Sequence, residues 1–165
     1  MTDGQQAALR FEPYLAGMDV MMWAVNDDPR VKLGIISIWL LDRPVSPGVF
    51  RAAVARAVAA GPPLRQVLTR APLSTAPPRF VDDPAFDLAY HTPVIAAPGR
   101  GSLADLLAVA GQIGAAGFDY HRPLWEFSLV TGLEGGGCAI VQKVHHVLTD
   151  GVGGLAFLIG PLLAL

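Results

Sequence analysis

The chain has 165 residues, of which 52% are hydrophobic and 16% charged, and twelve basic against fourteen acidic side chains give a formal charge of -2. That is long enough for one domain with its own core and too apolar for disorder. No run of like charges exceeds the pairs Asp27-Asp28 and Asp82-Asp83, which excludes a broad electrostatic footprint for nucleic acid.

The charged share lies below the roughly 25% of ordinary soluble domains, so some apolar surface is expected to meet a partner. Met1 to Arg10 show no basic start followed by an apolar stretch, so no secretory signal is read and a cytoplasmic location is expected. The longest apolar stretches, Leu33 to Leu41 and Val152 to Leu165, fall short of the roughly 20 residues of a spanning helix. Membrane contact is therefore expected to be peripheral. The single Cys138 reads as a small buried hydrophobe.

In chain order, Val31 to Leu41 is rich in Val, Ile and Trp and predicts a buried strand, ended by Asp42-Arg43-Pro44. Ser46 as cap and Pro47 in the first turn start a helix over Pro47 to Ala60, with Phe50, Val54 and Val58 at four-residue spacing and Gly61 beyond its end. From Gly61 to Pro78, Pro62, Pro63, Pro72, Pro77 and Pro78 interrupt every period, so a loop is expected with a short helical turn around Leu64 to Leu68. Arg79 to Asp82 reads as a short strand.

Ser102 followed by Asp105 is close to a capping box and opens a second helix, with a predicted stripe of Leu103, Leu106, Leu107, Ala110 and Ile113. Strands Leu124 to Thr131 and Cys138 to Val144 flank the glycine-rich Gly132 to Gly137, the pattern of an antiparallel hairpin. After the turn at Asp150-Gly151, Val152 to Leu165 predicts a helix apolar on every side, which needs cover from another domain or chain. The fold class is α+β, with the sheet and helices in one pair of layers.

The chemistry concentrates at His145-His146-Val147-Leu148-Thr149-Asp150-Gly151. Imidazole can take a proton from an attacking hydroxyl and return it to a leaving group near neutral pH, and a strand end is a natural place to present it. Adjacent residues there point to opposite faces, so one histidine is expected to be catalytic and the other structural. Asp150 is expected to orient the loop rather than contact His146. On local residues alone a solvated turn remains open. A zinc site lacks a further Cys, Glu or His at ligand spacing, so no metal is assigned.

Trp39 and Trp125 read as core aromatics, His91 as a hydrogen-bonded loop histidine, and Gln142 and Lys143 as side chains on opposite faces of the last strand, one of them facing a channel.

The segment from His145 to Gly151 resembles the His-His-x-x-x-Asp-Gly motif of the chloramphenicol acetyltransferase-like superfamily. Its flanks narrow the resemblance. Pro123-Leu124-Trp125-Glu126, Gly132-Leu133-Glu134-Gly135-Gly136, Lys143-Val144, Gly151-Val152-Gly153-Gly154, and upstream Val81-Asp82-Asp83-Pro84 with Phe86 to His91, look like the bacterial wax ester synthase/acyl-CoA:diacylglycerol acyltransferase family. The similarity runs from about Pro78 to Leu163, and more weakly back to Met18-Asp19.

The resemblance implies half of a chloramphenicol acetyltransferase-like fold, with a mixed, mostly antiparallel sheet packed with helices. It implies transfer of a long-chain acyl group from acyl-CoA to a fatty alcohol or diacylglycerol, with acyl-CoA as substrate and no cofactor. His146 would be the general base, Asp150 and Gly151 would support its loop, and Pro123, Leu124 and Trp125 would be structural near the site.

Members are longer, with a second domain forming the other wall of a channel, so residues 1–165 are read as a single N-terminal domain. The C-terminal domain or a second chain is the expected partner, and contact with a membrane or lipid droplet is compatible with the apolar balance. Two other readings stay open: a non-catalytic lipid-binding module derived from the fold, and another acyltransferase or condensation enzyme of the same superfamily.

Overall fold

The computed structural model describes residues 13–15, 17–26, 28, 31, 33–70 and 75–148. Its centre is a four-stranded sheet in the order β1-β6-β5-β4, built from β1 (Gly34–Leu41), β4 (Val94–Ala96), β5 (Trp125–Thr131) and β6 (Cys138–His145). β6 runs antiparallel to both β1 and β5, while β4 and β5 are parallel. The predicted hairpin is present, and all eight residues of β6 are buried.

Alternation along the strands sends side chains to two separate cores. Trp125, Phe127 and Leu129 of β5, with Cys138, Ile140 and Val144 of β6, pack against Phe50, Ala53, Val54 and Ala57 of α2 (Pro47–Ala60). The opposite faces, Val130, Ala139 and Val141, pack against Leu106, Val109, Ala110 and Ile113 of α4 (Leu103–Ala115). Helices therefore cover both faces, giving three layers where the sequence suggested two. The α+β class with a mixed sheet stands.

Both long helices begin where their caps place them. Ser46 Oγ accepts from the Val49 amide at 3.3 Å, and Ser102 and Asp105 form a reciprocal capping box. The buried stripe of α4 is rotated from the predicted one, because Val109 lies inside while Leu103 and Leu107 are more than half exposed. Periodicity alone admits either set of leucines; the sheet selects the face that meets Val130 and Val141.

β1 begins three residues later than predicted and is only partly buried. It is an edge strand, paired on one side to β6 among the described residues. Trp39 correspondingly lies partly buried against the α2 core, its indole donating to Gln142 Oε1 at 2.8 Å.

The proline-rich stretch hides a strand. After a 3-10 turn at Pro62–Arg65, β2 (Gln66–Thr69) pairs antiparallel with β3 (Arg79–Asp82). Two short helices, α1 (Met18–Ala24) and α3 (Leu88–His91), and β4 were also unmarked by periodicity. A third apolar cluster, Leu15, Leu68, Leu124 and Val147 with Val20, Trp23 and Phe118 beside it, joins α1, β2 and the end of β6. Among the described residues no helix is long and apolar enough to cross a membrane. The predicted apolar helix Val152 to Leu165 lies outside the described residues.

Candidate active site

β6 ends at His145, and a 3-10 turn over His146–Leu148 follows directly. Two backbone bonds fix this junction from both neighbouring strands. The His145 amide donates to Leu124 O, and the His146 amide to Leu33 O, each at 2.9 Å. Val147 then anchors the turn in the third apolar cluster.

The two histidines occupy different environments. His145 is 1% exposed, with the rings of Phe118, Tyr120 and Trp23 edge-on around it at centroid distances of 5.4, 6.4 and 6.1 Å. Its Nε2 lies 3.0 Å from Asn26 Oδ1, and its Nδ1 accepts from the Val147 amide at 3.3 Å. Burial, and secondarily the neighbouring His146, push its pKa down to about 4. The ring is neutral at physiological pH, with both nitrogens in hydrogen bonds. His146 is half-buried.

A cavity of about 190 Å³ opens beside His145, walled by Asn26, Asp28, Leu33, Gly117, Phe118 and Tyr120 among others. Asn26 and Tyr120 carried no sequence signal, since Asn26 lies 119 positions before His145 and only the closed sheet brings them together.

The Pro123-Leu124-Trp125 segment is wholly buried and contacts the histidine strand through its backbone. Trp125 pairs with Val144, and its indole donates to Leu64 O at 2.8 Å. Asp150 and Gly151 lie outside the described residues. His91 ends α3 instead of standing in a loop. It is fully buried, stacked between Trp125 and Phe86 at 4.5 and 5.5 Å, with Nδ1 donating to Trp125 O at 2.7 Å. Burial lowers its pKa against the opposing pull of that bond. It supports Trp125 rather than lining the histidine cavity.

Gln142 and Lys143 do lie on opposite faces, both almost fully buried. Gln142 meets Trp39. Lys143 Nζ donates to Gly117 O at 2.7 Å and sits 4.5 Å over the Phe118 ring, its pKa lowered by burial. No group of three or more His, Cys, Asp or Glu gathers as a metal cluster among the described residues.

Residues 15–162 match the family described as the wax ester synthase/diacylglycerol acyltransferase catalytic domain. A candidate diacylglycerol O-acyltransferase of Mycobacterium tuberculosis, Rv2484c, is 35% identical over 146 residues, spanning 88% of this chain and 30% of the relative. A second from the same organism, Rv3087, is 42% identical over 87 residues, or 53% of this chain and 18% of the relative. The chain thus spans less than a third of these relatives.

Among solved structures, the wax ester synthase/diacylglycerol acyltransferase of Marinobacter aquaeolei VT8 superposes with a TM-score of 0.69 at 25% identity, over 87% of this chain and 36% of that one. The starter condensation domain of rhizomide synthetase, solved with C8-CoA, superposes with a TM-score of 0.70 at 18% identity, over 88% and 33%. The second likeness is one of fold.

Proposed function

Because this chain belongs to the wax ester synthase/diacylglycerol acyltransferase family, we propose that it forms the histidine-bearing part of an enzyme that moves a long-chain acyl group from acyl-CoA to a lipid hydroxyl. The acceptor is a fatty alcohol or diacylglycerol. His146 takes the hydroxyl proton as the oxygen attacks the thioester carbonyl. The tetrahedral intermediate then expels the CoA thiolate, which receives the proton back from the imidazolium. An ester and free CoA result, with no net proton change.

The observation that carries the assignment is the contrast between the two rings. His145 is packed among three aromatic rings with both nitrogens bonded and its pKa pushed down to about 4, whereas His146 is only half-buried at the start of the turn. A base must reach the proton it abstracts, which favours the second ring. Asp150 and Gly151 are assigned to holding the loop beyond it, and Pro123, Leu124 and Trp125 to holding the strand.

The family's second domain, in the same polypeptide or a partner chain, is proposed to complete the channel. Peripheral contact with a membrane or lipid droplet would bring the acceptor. The fold shared with the condensation domain keeps another acyltransferase or condensation enzyme of the same superfamily as the second reading.

The test is thiol release from palmitoyl-CoA in the presence of hexadecanol or diacylglycerol, with the chain alone and with a relative's C-terminal domain supplied. His146→Ala is expected to lower turnover by about 10²- to 10⁴-fold with little change in stability. Full turnover in that variant sinks the assignment, and turnover only with other members of a panel of acyl donors and acceptors favours the second reading.

A further inference from the structure

One backbone donor sets the direction of the hydrogen bonds described at the His145 ring. The Val147 N–H can only donate, so the Nδ1 it meets at 3.3 Å carries no proton. In a neutral imidazole the proton then resides on Nε2, and the Asn26 atom 3.0 Å away must be the accepting oxygen. Tyr120 Oη, 2.8 Å from the same oxygen, is therefore its second donor.

The result is an ordered set of bonds from Tyr120 and Asn26 through the His145 ring to the backbone of the turn. We propose that Asn26, itself held by Tyr120, is a positioning residue of the acyl-transfer site. It holds His145 in the Nε2–H form that the Val147 amide also requires, so that Nδ1 keeps the Val147 amide and with it the turn that begins at His146.

An ionised ring breaks this arrangement, because a protonated Nδ1 confronts the Val147 N–H as donor against donor. A neutral amide at position 26 satisfies Nε2–H without favouring the charged ring, whereas a carboxylate there would favour it. Among the described residues, the titratable groups facing His145 are Tyr120 across Asn26, Asp28 along the cavity wall, and the adjoining His146. Lys143 is separated from it by the Phe118 ring, which both contact.

The proposal rests on the acyl-transfer reading only for its effect on rate, so its first readout needs no turnover. Side-chain ¹⁵N NMR of the full chain is expected to show His145 protonated at Nε2 and bare at Nδ1 from pH 5 to 8. In Asn26→Asp, His145 should take a second proton at higher pH than in the parent, and the Val147 amide signal should shift as it does. In Asn26→Leu, which has similar size and no acceptor, the single tautomer should be lost.

In the active assembly, Asn26→Asp should lower kcat on the order of 10- to 100-fold at pH 6 with little change in KM for acyl-CoA. Raising the pH should restore it as the ring returns to its neutral form. A purely structural lesion would not recover this way. An unchanged His145 tautomer and Val147 amide in Asn26→Leu overturns the proposal, as does a shifted tautomer with an unaltered pH profile of kcat. If His146→Ala keeps full turnover, the base assignment fails while the tautomer measurement still decides the role of Asn26 in ordering the turn.

Discussion

Leu124 and His145 are joined by their backbones, the amide of the histidine donating to the leucine carbonyl at 2.9 Å. The Pro123-Leu124-Trp125 segment thus touches the candidate site through peptide groups, while its side chains face two different cores. Disturbing that packing should move the histidines without altering any group that meets substrate.

Trp125→Phe tests this link. It removes the indole donor from Leu64 O, 2.8 Å away, and leaves that carbonyl without its partner in a buried setting. A loss of about 1–3 kcal/mol is expected from the unmade hydrogen bond, before any packing loss. Urea unfolding followed by far-UV circular dichroism should show a lower midpoint at unchanged slope.

Acid should weaken the fold through the same ring that is neutral at the site. His145 has its pKa pushed down to about 4, below its ordinary value of 6.5. Between those values the unfolded chain binds a proton the folded chain refuses. The contribution is therefore complete above pH 6.5 and diminishes as pH falls toward 4, by about 3 kcal/mol for this ring. Burial shifts His91 in the same direction. Unfolding free energies measured at pH 7 and 4.5 should differ less in His145→Gln than in the parent.

The leucines of α4 should separate by face. Leu106 is 1% exposed against Val130 and Val141, so Leu106→Ala should cost about 2–5 kcal/mol. Leu103 and Leu107 are more than half exposed, and their alanine variants should stay within about 0.5 kcal/mol of the parent. Equal losses at all three positions in thermal unfolding would mean that α4 docks by the face first read from its periodicity.

Gly101 joins the start of α4 to the hairpin. Its φ is +69°, its carbonyl accepts from Glu134 N at 2.8 Å, and a side-chain carbon there would run into the Gly132 carbonyl. Gly101→Ala should lower the thermal midpoint by several degrees through left-handed strain and forced separation of the two segments. Gly48→Ala, in open space near the start of α2, should not lower it to that extent.

Local rules revealed the elements whose signals are local. Ser46 with Pro47, and Ser102 with Asp105, marked both long helices, and the glycines from Gly132 to Gly137 marked the hairpin. β2 was lost because four residues between prolines carry too little pattern, and they become a strand only by pairing with Arg79–Asp82. β1 looked buried because its Ile and Trp content matches a central strand, yet topology places it at an edge. At the site, the histidine pair and the Leu124 segment were legible as a motif. Asn26, Trp23 and Tyr120 were not, since their relation to His145 exists only across the folded chain.

The pairing of β6 with β1 also sets an order in time. β6 meets β5 through a local hairpin, a step of about 1–10 μs, but Trp39 and its partner Gln142 are separated by 103 positions. On a ribosome adding about 5–20 residues per second, β1 waits roughly 5–20 s for the strand that covers its inner edge. Throughout that interval Ile35, Ile36, Ile38 and Trp39 have no β6 to pair with, a period in which a chaperone has reason to hold them. The bond from His146 to Leu33 then forms among the last events of closure, so the candidate base takes its place only when the oldest strand of the sheet is finally covered.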